Sequence, residues 1–207
     1  MEQAKKIKTA RTLAVVVSAA GLLVITGWIL DIGVLKSVSP DWITMKFSTA
    51  LAFMLSGGTL YFIARTYEGE LDKPQIFLPI STLLILLLMG VGFFSAVLGV
   101  HAGIDDLFIA DSPGGVKTVI PGRPSLPTML NFIFVSLAGL LAMFDHEKLR
   151  SGLRIFGVLI GLVGAASVAG YVTNIPLLYY FVPGVNSAMA FNTAVLFVLL
   201  GTGFLCL

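Results

Sequence analysis

The sequence predicts an all-α integral membrane protein: six transmembrane helices forming three repeated helical hairpins, one membrane domain over residues 1–207, both termini cytoplasmic. Three observations carry that prediction. The residues are 57% hydrophobic and only 12% charged, too little polar surface to cover a soluble core of this size. From Ile155 to Leu207 there is no Asp, Glu, Lys or Arg, a stretch long enough for two crossings at about 20 residues each. One helix entrance is also written three times, as WITMKFSTALAFMLSGG (42–58), RPSLPTMLNFIFVSLAG (123–139) and NSAMAFNTAVLFVLLGTG (186–203).

Hydropathy places the spans at roughly 12–31, 47–64, 76–100, 126–144, 153–172 and 188–207, which pair as hairpins 12–64, 76–144 and 153–207. At 1.5 Å per residue each covers about 27–37 Å, the thickness of a bilayer's hydrocarbon. The first is no cleaved signal peptide: its apolar run is too long, and no A-x-A site precedes a soluble domain. In the third, Pro79 is expected in the first turn, where a missing N–H is tolerated. Gly157, Gly161 and Gly164 give the fifth a small-residue face that lets a neighbouring backbone approach, and Gly90 is expected to act likewise in the third. The connections TYEGELDKPQ and DHEKLRSG are short and charged. Those on the opposite side are longer, and the middle one carries the turn signals DSPGG and PGRP and a stretch, GIDDLFIAD, expected to lie as an amphipathic helical turn at the interface.

Orientation follows from the basic residues. Lys5, Lys6, Lys8, Arg11, Arg65, Lys73, Lys148, Arg150 and Arg154 fall on one side, and Lys36, Lys46, Lys117 and Arg123 on the other. The larger group marks the cytoplasmic face. Trp28, Trp42, Tyr171, Tyr179 and Tyr180 then fall at the outer interface, where aromatic belts belong.

Aligned on their threonines, the three entrances superpose Thr49, Thr128 and Thr193, then Phe53, Phe132 and Phe197, then Gly57, Ser136 and Gly201. Spacing by four keeps hydroxyl, ring and small residue on one helix face. Met45 and Met189 stand four before the Thr, with Pro124 in the middle copy. The outgoing helices align Trp28, Leu98 and Tyr171, followed three positions later by the polar Asp31, His101 and Asn174. Two readings of these polar residues stand side by side. Ser48, Thr49, Thr128 and Asn192 cap helix amino termini, and Asp31, His101 and Asn174 end helices among headgroups; or the Thr set lines an outer pocket over which Asp31, His101 and Asn174 converge, near Asp105, Asp106 and Arg123. His101 has an unperturbed pKa of about 6.5 and in that second reading senses pH.

Several function classes fall away. The single Cys206 makes no internal disulfide or cysteine metal cluster and reads as a packing residue. A net charge of +2 does not point to nucleic acid. The two histidines, His101 and His146, are expected on opposite faces, roughly 30 Å apart, and cannot bridge one haem. Every Asp, Glu, Lys and Arg lies outside or at the edge of a span, and no Gly/Pro-broken helix pair marks a midplane site, which argues against active transport. No nucleophile–base pair, metal-ligand set or phosphate loop argues for an enzyme; Gly114-Gly115 is a turn.

The segments ITMKFSTALAFMLSGG, GIDDLF…PGRPSLPTMLNF and SAMAFNTAVLFVLLG resemble the recurring TMxxNTALxFLLLG, GIDQLLF…PGRMSPNTALNF and MALNTALAFLLLG of a membrane region. That region is the MASE-like, six-helix amino-terminal sensor module of prokaryotic sensor histidine kinases and diguanylate cyclases. The resemblance covers nearly the whole chain. It implies the prokaryotic cytoplasmic (inner) membrane, a homodimer, and a sixth helix that relays a signal to PAS and kinase or cyclase domains. The chain departs from the pattern at Leu126-Pro127 and Met129. If the Asn before Thr contacts a ligand, only Asn192 keeps it, with Ser48 in its place in the first copy. The last apolar run reaches Leu207, which leaves a choice between a sensory input module and a free-standing accessory subunit packing against partner helices, lipids or pigments. No cofactor is predicted beyond a bound lipid, quinone or pigment.

Overall fold

In a computed structural model, every regular element among the described residues is helical, and four helices are long and apolar enough to cross a membrane. The structure describes residues 2–100, 103, 107–109, 111, 116–144, 146–180 and 187–207, with 146–150 as backbone only. The elements are α1 (Glu2–Ile29), a short α2 (Gly33–Lys36), α3 (Phe47–Thr66), α4 (Asp72–Ile85), α5 (Val91–Val97), α6 (Leu126–Leu141), α7 (His146–Val172) and α8 (Phe191–Leu205). A π-helical turn, Leu86–Gly90, joins α4 to α5 as one rod, and a 3-10 turn, Pro176–Leu178, follows α7.

The four long apolar helices are α1, α3, the α4–α5 rod and α7. α6 and α8 are apolar but have only 16 and 15 residues, about 24 and 22 Å of rise. Their shortness has a local cause. The residues before α3, α6 and α8 (Lys46, Ser125 and Ala190) all hold extended backbone, with ψ of 151°, 153° and 149°. The entrances are therefore extended where they leave the loops, and the helix expected from residue 188 begins at Phe191. α1 and α7 instead begin earlier than hydropathy predicts, because their charged first turns continue the helix.

Pro79 is inside its helix rather than in the first turn, since α4 starts at Asp72. Its ring withholds one backbone N–H, and the nearby Thr82 hydroxyl donates to Leu78 O at 2.6 Å. Of GIDDLFIAD the structure describes Gly103, Leu107, Phe108, Ile109 and Asp111, none of them helical. α2 and the 3-10 turn had no signal in the hydropathy.

The helices pack as a ring around a smaller ring. α1 lies against α3 and α8, the α4–α5 rod against α3 and α6, and α7 against α6 and α8. Inside, Phe53, Phe132 and Phe197 meet in a triangle, with ring centroids 4.8, 4.8 and 4.9 Å apart and no exposure. One turn earlier Thr49, Thr128 and Thr193 are each 2% exposed. The outward faces of α1, the rod and α7 present Leu22, Leu84, Phe94 and Leu162, all exposed, which suits a lipid surround.

Backbones come closest at two seams. A Cβ on Gly201 would meet Gly157 O and Gly161 N at 2.6 Å, and one on Gly164 would meet Ala194 O at 2.7 Å. At the α1–α3 seam a Cβ on Gly21 would meet Ala50 O at 2.6 Å. Gly161 itself is looser, with Gly201 Cα 3.8 Å from its built Cβ, and Gly90 faces only Leu86 of its own rod. The rod meets α3 partly through hydroxyls, Thr59 Oγ1 to Ser81 Oγ at 2.9 Å.

Candidate functional site

The three inner helices begin at the end of the bundle that holds α2, residues 116–123 and the 3-10 turn. Among these starts only α6 has a side-chain cap: Ser125 Oγ accepts from Thr128 N at 3.4 Å and pairs with Thr128 Oγ1 at 2.7 Å. Asn192 Oδ1 accepts from Thr193 N at 3.0 Å, while its Nδ2 reaches across to Lys36 O at 3.2 Å. Ser48 Oγ is buried with no partner among the described residues. Of the expected caps Ser48, Thr49, Thr128 and Asn192, only Asn192 accepts from a backbone N–H of a helix start: the residues before the helices are Lys46, Ser125 and Ala190, and of these Ser125 alone caps, at α6.

The outer helices close in one way. Asp31 and Asn174 take left-handed backbone, φ 54° and 55°, and the next N–H reaches back five residues: Ile32 N to Gly27 O at 2.8 Å and Ile175 N to Gly170 O at 2.9 Å. The rod closes identically at Gly99, φ 67°, with Val100 N on Ser95 O at 2.9 Å. The counterpart of Asp31 and Asn174 is therefore Gly99, two residues before His101, which lies outside the described residues, as do Asp105 and Asp106. The position demands a left-handed conformation, and a glycine meets it without a polar side chain.

These closures put aromatic donors where they tie each outer helix to its inner partner. Trp28 Nε1 donates to Met45 O at 2.9 Å, and Tyr171 OH donates to Met189 O at 2.8 Å. In the middle pair the buried Arg123 approaches Ser95 Oγ at 3.5 Å. Charges complete the end of the bundle. Lys46, 4% exposed, pairs with Asp111 and donates to Thr118 Oγ1 at 3.1 Å, and Gly122 N donates to the same carboxylate. The exposed Asp31 pairs with Lys36 at 2.6 Å, and that hydrogen bond holds its carboxyl below the ordinary value. The Lys36 ammonium also lies 4.8 Å from the Trp28 ring centre.

Between residues 41–43, 116–117 and the end of α7 is a cleft of about 190 Å³. Trp42, Tyr171 and Tyr179 wall it, Asn174 and Lys117 supply polar groups, and Asp41 a carboxylate. Tyr171 stacks on Tyr179 at 4.0 Å and 17°, Trp42 is 5.0 Å from Tyr171, and Lys117 Nζ donates to Tyr179 OH at 2.7 Å. Aromatic walls with an amide, an ammonium and a carboxylate at the rim suit a small polar organic molecule. No group of three metal-ligating side chains occurs among the described residues.

Of the ligand-site candidates among the described residues, only Asn174 lines this cleft. Asp31 faces solvent beside Lys36, Arg123 is buried near Ser95, and Thr49, Thr128 and Thr193 are enclosed at the tops of the inner helices. In the sequence the cleft walls Trp42, Tyr171 and Tyr179 read as interface aromatics, and the Lys46–Asp111 pair has no signal there, its partners being 65 residues apart. No family model, no curated protein and no solved structure matches the chain.

Proposed function

We propose that this chain is a six-span membrane input module of three like hairpins, both termini cytoplasmic, in which the cleft takes a small polar ligand and α8 carries the response. One observation supports this reading above others: the cleft wall is joined to the start of α8. Tyr171 bonds Met189 O and lies 5.4 Å from the ring of Phe191, the first residue of α8, while Trp42 lies 5.0 Å from the same ring. A ligand that moves Tyr171 or Trp42 therefore acts on α8, which runs to the opposite end of the bundle. A ligand shifts such an equilibrium only by its differential affinity for two packings. The six-span hairpin reading rests on the inner triangle of Phe53, Phe132 and Phe197 and on the three alike helix closures.

A second reading has its own support. The α7–α8 seam leaves no space at Gly157, Gly164 and Gly201, which favours a fixed scaffold, an accessory subunit of a larger membrane assembly. Native mass spectrometry of the protein drawn gently from its own membrane separates the two. A homodimer whose chains carry a cytoplasmic output domain supports the input module; a 22.0 kDa chain travelling with other subunits or pigments overturns it in favour of the scaffold.

A further inference from the structure

At the opposite end of the bundle, α1 and α3 enclose an open groove of about 520 Å³ that no motif of the sequence announces. Its lining changes character along one stripe of α1. Lys8 and Arg11 stand at one end, and Val15 and Val16 follow, about 10–12 Å beyond Lys8 along the helix. Positions 8, 11, 15 and 16 share a face because the helix repeats every 3.6 residues. From α3 and its end come Tyr61 and Glu68.

The charges are unevenly spent. Glu68 accepts two bonds from Arg11 NH1, at 2.9 and 3.0 Å, and its other ion-pair partner, Arg65 Nε, stands 3.8 Å away, so no carboxylate of the groove is left for Lys8. Arg11 Nε is buried without a partner, and the Lys8 ammonium has no bond among the described residues. The groove therefore retains the unmatched positive charge of Lys8 at the head of an apolar trough. A second groove along α1, about 310 Å³ between α2 and α8, is lined by Leu23, Val34 and Val195 and holds no charged side chain.

We infer that the Lys8–Arg11 groove binds one phospholipid with a net anionic headgroup, phosphate at Lys8 and Arg11 and an acyl chain along Val15 and Val16. The inference rests on the membrane reading proposed above. A zwitterionic phospholipid presents its own cation to Lys8 and loses the advantage, whereas the apolar groove beside α2 takes either lipid equally. Near an anionic surface one Lys or Arg is worth about five-fold in affinity.

The test is native mass spectrometry of the full chain in mild detergent, offered phosphatidylglycerol and phosphatidylcholine with identical acyl chains. The expected result is one tightly retained phosphatidylglycerol, favoured about five-fold, with the preference lost in Lys8→Gln. Lys5→Gln, which removes the same charge outside the groove, keeps it. Equal retention of both lipids by the wild type, or equal loss in Lys8→Gln and Lys5→Gln, overturns the inference. So does displacement of the lipid by excess inorganic phosphate, which would make the site one for a free anion. The membrane reading fails separately, if an alkaline wash strips the protein from its native membranes.

Discussion

The inner helices α3, α6 and α8 and the outer set α1, α4–α5 and α7 are all apolar yet specify different things. Each inner helix writes Thr-x-x-x-Phe-x-x-x-small, and all of those residues are buried: the three rings against one another, and Gly57 and Gly201 against the backbones of α1 and α7. The outer helices face their neighbours with one side and leave Leu22, Leu84 or Phe94 exposed on the other. A side chain with protein on every side is fixed by shape, while one that faces lipid needs only to be apolar. The stripe repeats where the contact repeats.

The largest effect that sharpens this contrast pits two phenylalanines. Phe132→Ala empties the centre of the triangle and is expected to cost about 3–5 kcal/mol of stability, by reversible unfolding in mixed micelles. Phe94→Ala, on the exposed face of the rod, is expected to cost less than about 1 kcal/mol. Comparable losses would erase the distinction between the two sets.

The glycines come next. Gly201→Ala places a Cβ 2.6 Å from backbone atoms of α7 and is expected to cost about 1–3 kcal/mol in the same assay. Gly161→Ala, with 3.8 Å of room, is expected to be tolerated within about 0.5 kcal/mol.

A smaller effect compares two serines at inner-helix starts. Ser125→Ala removes the cap on Thr128 N and is expected to cost about 1 kcal/mol. Ser48→Ala removes a hydroxyl that has no partner among the described residues and is expected to be neutral or slightly stabilising. Thermal unfolding of both variants side by side reads the order.

Much of the inner set was legible in the sequence because a four-residue period of hydroxyl, ring and small residue has no other economical cause. Gly157 and Gly164 were legible for the same reason, as small residues on one face. The loop end was not. Search for a polar residue after each outgoing helix picks out Asp31, His101 and Asn174, but the fold selects for left-handed backbone there, so Gly99 takes the middle place. Trp42, Tyr171 and Tyr179 look like interface aromatics one by one, and their common cleft exists only after α7 and the segment at 41–43 are brought together. The Lys46–Asp111 pair joins chain segments too distant for any local pattern.

The smallest expected effect concerns the exposed end of α1. The Lys36 hydrogen bond lowers the Asp31 pKa, so the stability this pair contributes is present above the unfolded carboxyl value, about 3.9, and is lost as pH falls through the lower folded value. Because Lys36 also lies over Trp28, the Trp28 fluorescence is expected to change across that acid window and to be flat there in Asp31→Asn.

The central claim is that the three inner helices meet at one point, and double-mutant cycles test it most directly. Phe53→Leu, Phe132→Leu and Phe197→Leu, alone and in pairs, are to be unfolded reversibly in mixed micelles. The account predicts a coupling of about 0.5–1.5 kcal/mol for all three pairs. One coupled pair with the third ring additive to both would contradict it.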